Sequence, residues 1–139
     1  MQANLYRHLL LLCSCAISGL LGACAHIYAN APRSSDMPPA INLNGIMVGT
    51  ANRLTLYTYD GDTANHSNCL DSCTTTWLPF YATAHDASRG DFTVFTRPDG
   101  RKQWSLAGKP LYFWAGETQA EEASTHAPDT HWKVFRAPQ

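Results

Sequence analysis

The sequence predicts an all-β domain with at most one short helix, in which two antiparallel β repeats pack into one compact unit. Three observations carry this expectation. The first is an internal repeat at a spacing of 55 residues. Leu56-Tyr57 returns as Leu111-Tyr112, Gly61 as Gly116, Thr63 as Thr118, Thr75 as Thr130, Trp77 as Trp132, Phe80 as Phe135 and Ala82 as Ala137. These are eight identities without a gap over residues 56–82, and tryptophan and tyrosine are too scarce to recur in step by chance. Tyr59 against Trp114 and Asp62 against Glu117 are close replacements. The second observation is a series of short alternating runs bounded by turn residues, the pattern of half-buried strands. The third is the lack of a sustained helical stripe. Because the repeat occurs twice only, two β-units meeting through their aromatic faces are expected rather than a solenoid.

The elements follow in order. Residues 53–59 (RLTLYTY) read as a strand with Leu54 and Leu56 on one side and Tyr57 and Tyr59 on the other, so both faces are partly buried. Residues 68–76 hold the one helical candidate. Residues 92–96 (FTVFT) form a strand, Pro98-Asp99-Gly100 a turn, and residues 102–106 (KQWSL) the returning strand. Ala107-Gly108 leads into residues 109–114 (KPLYFW), and residues 132–136 (WKVFR) close the chain. Residues 118–128 contain helix formers but no apolar stripe and read as a loop.

The N-terminal region carries an address. Arg7 and His8 precede an apolar run over residues 9–21, and Leu21-Gly22-Ala23-Cys24 closes it as a lipobox. A largely apolar segment of 13 residues is too short to cross a bilayer, which takes about 20, but suits the apolar core of a signal peptide. Residues 1–23 are therefore expected to be removed and Cys24 to carry lipid. Residues 24–40, with Pro32, Pro38 and Pro39 among small and polar residues, read as a flexible tether. Residues 41–139 make the domain, with repeats at about 45–82 and 100–137. The expected location is the bacterial cell envelope. Ala25 after the lipid cysteine points to the outer membrane, facing the periplasm, in a Gram-negative host.

Charge excludes some partners. The chain has 10 basic and 11 acidic side chains, so no basic surface invites nucleic acid. Anionic lipid would not hold the protein by charge, and the membrane is met through acyl chains on Cys24.

The cysteines sort by place. Cys13 and Cys15 leave with the signal peptide, Cys24 takes lipid, and Cys69 and Cys73 remain. In an oxidising envelope a remaining pair is expected to form a disulfide. One helical turn would bring their Cα atoms to about 6 Å, within disulfide range.

At Tyr57-Thr58-Tyr59-Asp60-Gly61-Asp62 the chain resembles the bacterial predicted lipoproteins with a Yx(FWY)xxD motif, also described as a secreted repeat of unknown function. Ser67-Asn68-Cys69, Cys73, Trp77-Leu78-Pro79, Arg97-Pro98-Asp99-Gly100, Gln103 and Gly108-Lys109-Pro110-Leu111-Tyr112 fit the same pattern. The resemblance spans residues 45–135 and implies an envelope lipoprotein of two related repeats, without an established reaction. The second copy departs from it in two ways. Glu117 replaces the motif aspartate, and Ser124 and Pro128 stand where the first copy has cysteines.

The motif residues Tyr57, Tyr59, Asp62, Trp77, Tyr112, Trp114 and Glu117 are the candidate binding set, since phenol rings and a carboxylate can hold a sugar or a cation. The plainer reading is structural: aromatic residues favour strands, and Asp60-Gly61-Asp62-Thr63 is turn chemistry. His66 with Cys69 and Cys73 is a weak candidate for copper or zinc. A fourth ligand would have to come from Asp62, His85, His126 or His131, and spacing selects none. No cofactor is expected. Nor is there a G-x-S-x-G, H-E-x-x-H or phosphate loop, so no catalytic residues are assigned. The sequence therefore favours a non-enzymatic module that binds an envelope protein or a small ligand. The alternative is a redox or metal-handling accessory using Cys69, Cys73 and His66.

Overall fold

The computed structural model describes residues 36–117 and 130–137. The signal peptide, Cys24, most of the tether and the loop expected over residues 118–128 lie outside these. Hairpins organise what is described. β1 (Ala40–Leu43) and β2 (Ile46–Gly49) pair around Asn44-Gly45, whose φ values of 53° and 87° belong to the tight primed turn that asparagine-glycine favours. β5 (Phe92–Thr96), β6 (Lys102–Leu106) and β7 (Lys109–Pro110) form a three-stranded sheet in that order. β3 (Tyr57–Tyr59), β4 (Trp77–Pro79), β8 (Tyr112–Trp114) and β9 (Trp132–Val134) form a four-stranded sheet in the order β4-β8-β3-β9. Every ladder is antiparallel. One turn of helix, α1 (Cys73–Thr76), precedes β4. The all-β expectation holds.

The strand registers show that the two repeats are related by an approximate two-fold axis. Tyr57 to Tyr59 of β3 face Val134 to Trp132 of β9. Shifted by 55 residues, the same pairing is β8 on β4, where Tyr112 to Trp114 face Pro79 to Trp77. The axis passes through the pair Tyr57↔Tyr112, which maps onto itself. Upstream the correspondence continues with an offset of two more residues, because the β6–β7 turn is Ala107-Gly108 while residues 50–53 make the matching connection. Thus the bridge Val48↔Thr55 matches Ser105↔Pro110, and Ile46↔Arg136 matches Gln103↔Tyr81. Hairpin β1–β2 is the counterpart of β5–β6. Each structural repeat therefore begins with a whole hairpin that lies upstream of the sequence identities.

Several sequence boundaries move. The strand expected over residues 53–59 keeps its last three residues as β3; Arg53 sits at φ 62°, outside the extended region, and Thr55 makes an isolated bridge to Val48. The strand expected over residues 109–114 splits into β7 and β8, with Leu111 between them. The run over 132–136 ends as a strand at Val134. The helix expected from residue 68 starts at Cys73, since Asp71 at φ 49° breaks any helical path before it. The end of the supposed tether is also docked. Thr50 donates its N–H to the carbonyl of Pro39 and its hydroxyl to that of Pro38, and Ala40 is buried in β1.

Alternation along the central strands produces two buried clusters. Leu56 and Leu111 point to one side, where Ala40, Met47, Trp104, Leu106, Phe113 and Phe135 meet them. Tyr57 and Tyr112 point to the other, against Cys69, Trp77 and Trp132.

Candidate functional site

The five aromatic residues of the motif set, with Trp132 from the repeat, converge on one face of the four-stranded sheet. Trp77 and Trp132, related by the two-fold axis, stack with ring centroids 4.0 Å apart and 7° between planes. Tyr59 stacks on the outer side of Trp132 at 4.6 Å. Tyr57 meets Trp77 edge-on at 5.2 Å, and its counterpart Tyr112 meets Trp132 edge-on at 4.9 Å. Trp114 packs half-buried against the same cluster. The ring at the third motif position folds back over the motif glycine in both copies. A Cβ on Gly61 would sit 2.5 Å from the Tyr59 ring, and one on Gly116 would overlap the Trp114 ring in the same way. That is why glycine recurs at both positions.

Both motif acids reach across to the other repeat, and Asp62 in addition accepts a backbone N–H within its own loop, as the plainer structural reading expects. Asp62 Oδ2 accepts the hydroxyl of Tyr112 at 2.6 Å, and its Oδ1 accepts the N–H of Asn68 at 2.7 Å. Glu117 accepts from Thr55 twice on Oε1, from the N–H at 3.0 Å and from the hydroxyl at 2.9 Å. Its Oε2 is buried without a hydrogen-bond partner among the described residues. Burial, with the Glu117 charge beside it, pushes the Tyr57 phenol up to about 12. Burial also raises the Tyr112 phenol, as does its bond to Asp62.

Behind Asp62 runs a buried polar chain that the sequence reading did not assign to any site. Arg97, with a fully buried side chain, donates Nη1–H bonds to Ser67 Oγ and Gln103 Oε1, an Nη2–H bond to the carbonyl of Cys69, and Nε–H to Asp99. Ser67 Oγ lies 2.7 Å from the Tyr112 hydroxyl. A continuous path therefore links Asp99, Arg97, Ser67, Tyr112 and Asp62. Its two ends differ. Burial raises the Asp62 carboxyl more than its hydrogen bonds and the charges of Arg97 and His66 lower it. At Asp99 burial raises the carboxyl, but the hydrogen bonds from Arg101 and Arg97 together outweigh it and hold the carboxyl at about 2. A signal for Arg97 was present: continuing the alternation of β5 places it on the same inward side as Phe95.

Cys69 and Cys73 are joined as a disulfide, with Cα atoms 5.3 Å apart. The bond closes the loop whose carbonyl at Cys69 receives Arg97. His66 is exposed and pairs its backbone with Thr63. Among the described residues, no group of three or more His, Cys, Asp or Glu side chains converges as metal ligands.

A groove of about 320 Å³ opens beside Asp62. One wall comes from residues 58–64 of the first repeat, including Tyr59, Asp60 and Ala64; the other comes from residues 107–110 of the second, including Lys109 and Pro110. Asp60 is held outward by Lys133 at 2.9 Å. Of the motif residues, Tyr59 and Asp62 reach this groove, whereas Tyr57, Trp77, Tyr112 and Glu117 are buried in the body of the fold.

Comparison with known proteins agrees with the repeat seen in the registers. A family model described as a secreted repeat of unknown function matches residues 42–81 and 93–136. No curated protein and no solved structure matches the chain.

Proposed function

The chain belongs to that family of secreted repeats, and from this premise we propose that it is a non-enzymatic, lipid-anchored binding module of the bacterial envelope. Cys24 holds it to the membrane, on the periplasmic side of the outer membrane in a Gram-negative host, and the double repeat presents a groove to a small ligand. The observation that carries this reading is the groove itself, whose walls come from both repeats and whose floor includes a half-buried carboxylate. Its size falls within the range of small-molecule sites, about 300–1,000 Å³. The groups that a hydrolase would need point the other way: Ser67 and Tyr112 are fully buried and spend their hydroxyls on each other, Arg97 and Asp62.

Two measurements test the reading. Cys24→Ser should move the protein from the membrane pellet to the soluble fraction; retention in the membrane would refute the anchor. A native mass spectrum of the full chain, purified from its own envelope in mild detergent, should show a small-molecule adduct. That adduct should be lost in Ala64→Phe, which fills the groove from an exposed position. An adduct equally abundant in the variant would refute the groove as the binding site.

A further inference from the structure

The two-fold axis makes the groove one of two equivalent positions, and the chain treats them differently. Asp62 corresponds to Glu117, and Pro110 corresponds to Thr55, as the matched bridges Ser105↔Pro110 and Val48↔Thr55 establish. At the second position the longer Glu117 reaches Thr55, takes both its N–H and its hydroxyl, and is buried. At the first, the shorter Asp62 faces a proline, which has no N–H to give. Asp62 turns instead to Tyr112 and Asn68, and the space opposite Pro110 stays open as the groove. Each Asp62 oxygen accepts one bond there, and a carboxylate oxygen can accept a second.

We propose that the groove is the ligand-binding member of this pair, the other being closed by the Glu117–Thr55 bond, and that it takes a 2-acetamido sugar. Such a sugar carries an amide N–H and a hydroxyl on adjacent carbons, the same N–C–C–O arrangement through which Thr55 satisfies Glu117. Tyr59, Ala64 and Pro110 offer apolar surface to the C–H face of a pyranose, while Asp60 and Lys109 border the opening for its outer hydroxyls. This inference rests on the groove being a binding site and adds to it the class of ligand.

The test titrates the full chain in detergent micelles with the fully N-acetylated chitin trisaccharide, called chitotriose below, followed by ligand-observed NMR. Maltotriose, which lacks the amide, and N-acetylthreoninamide, which has the same donors without the sugar ring, are run beside it. Chitotriose should bind at least tenfold more tightly than either. The double variant Asp62→Glu/Pro110→Thr copies the closed position onto the open one and should weaken chitotriose binding at least tenfold while still melting cooperatively. Ala64→Phe leaves the Asp62 bonds in place and should do the same. Equal binding of maltotriose would overturn the donor-pair argument, and tighter binding of the threonine probe would overturn the sugar. Wild-type affinity in either folded variant would overturn the site. If chitotriose fails while an envelope adduct still disappears in Ala64→Phe, the ligand class is wrong and the binding module stands. If the adduct also ignores Ala64→Phe, both are wrong.

Discussion

The two repeats share a plan of strands but not a means of support. The first has a disulfide loop, and the buried guanidinium of Arg97 reaches into that loop from the second. Arg97 has no counterpart in the first repeat, because its turn runs from Arg97 to Arg101 where the first repeat has Asn44-Gly45. The acids differ in the same spirit. One methylene lets Glu117 pass the tyrosine of the other repeat and reach Thr55, whereas Asp62 stops at Tyr112. The shared sheet thus holds two equivalent positions between the repeats, and a few differing side chains leave one open as the groove and fill the other with Glu117.

The largest expected effect probes what is symmetric. Trp77→Ala and Trp132→Ala remove equivalent rings, and each should cost about 4 kcal/mol, the usual range for deleting a buried large aromatic. Urea unfolding should return similar values for the two; a difference above about 2 kcal/mol would mean that the axis does not equalise the repeats energetically. Arg97→Ala should come next, at about 3 kcal/mol, since Ser67, Gln103 and the Cys69 carbonyl all lose their buried donor. Replacing Cys69 and Cys73 together by alanine should cost about 2 kcal/mol, because the closed loop has only five residues. A smaller effect separates the two central tyrosines. Tyr112→Phe should lose about 1–2 kcal/mol through its bonds to Asp62 and Ser67. Tyr57→Phe should be close to neutral, and equal losses would show that Glu117 binds Tyr57 as Asp62 binds Tyr112.

The smallest effect is on pH, and the two ends of the Arg97 chain give it opposite signs. Asp99 is depressed in the folded state, so its contribution is present above its ordinary value and fades as pH falls towards about 2. Asp62 is raised, so the folded state binds its proton first and gains stability as pH falls through that raised value towards the ordinary one. Asp99→Asn should therefore remove an acid-side loss and Asp62→Asn an acid-side gain, read from thermal melts between pH 2 and 6.

The repeat was legible because Trp, Tyr and Gly occupy positions where a substitute would clash or leave a hole. Gly61 and Gly116 under their rings are such positions. β1 and β2 were missed although Asn44-Gly45 is a strong hairpin signal; the sequence reading counts Ala40 with the tether and places residues 41–49 in the domain with no strand assigned to them. The positive φ of Arg53 and the change of partner at Leu111, where the chain leaves the three-stranded sheet for the four-stranded one, are features that apolar patterning does not encode. The cross-repeat roles of Asp62, Glu117 and Arg97 were hidden for another reason. Their partners lie 28 to 62 residues away, and periodicity reports only which side a residue faces.

The ring stack has a consequence for how this protein looks to light. Trp132 comes from the second repeat and lies between Tyr59 and Trp77 of the first, at 4.6 and 4.0 Å. Two near-parallel indoles at that distance couple their electronic transitions, which produces a paired positive and negative band in ultraviolet circular dichroism. The signal exists only while the halves are joined, so the chain contains its own optical gauge of whether they have come apart.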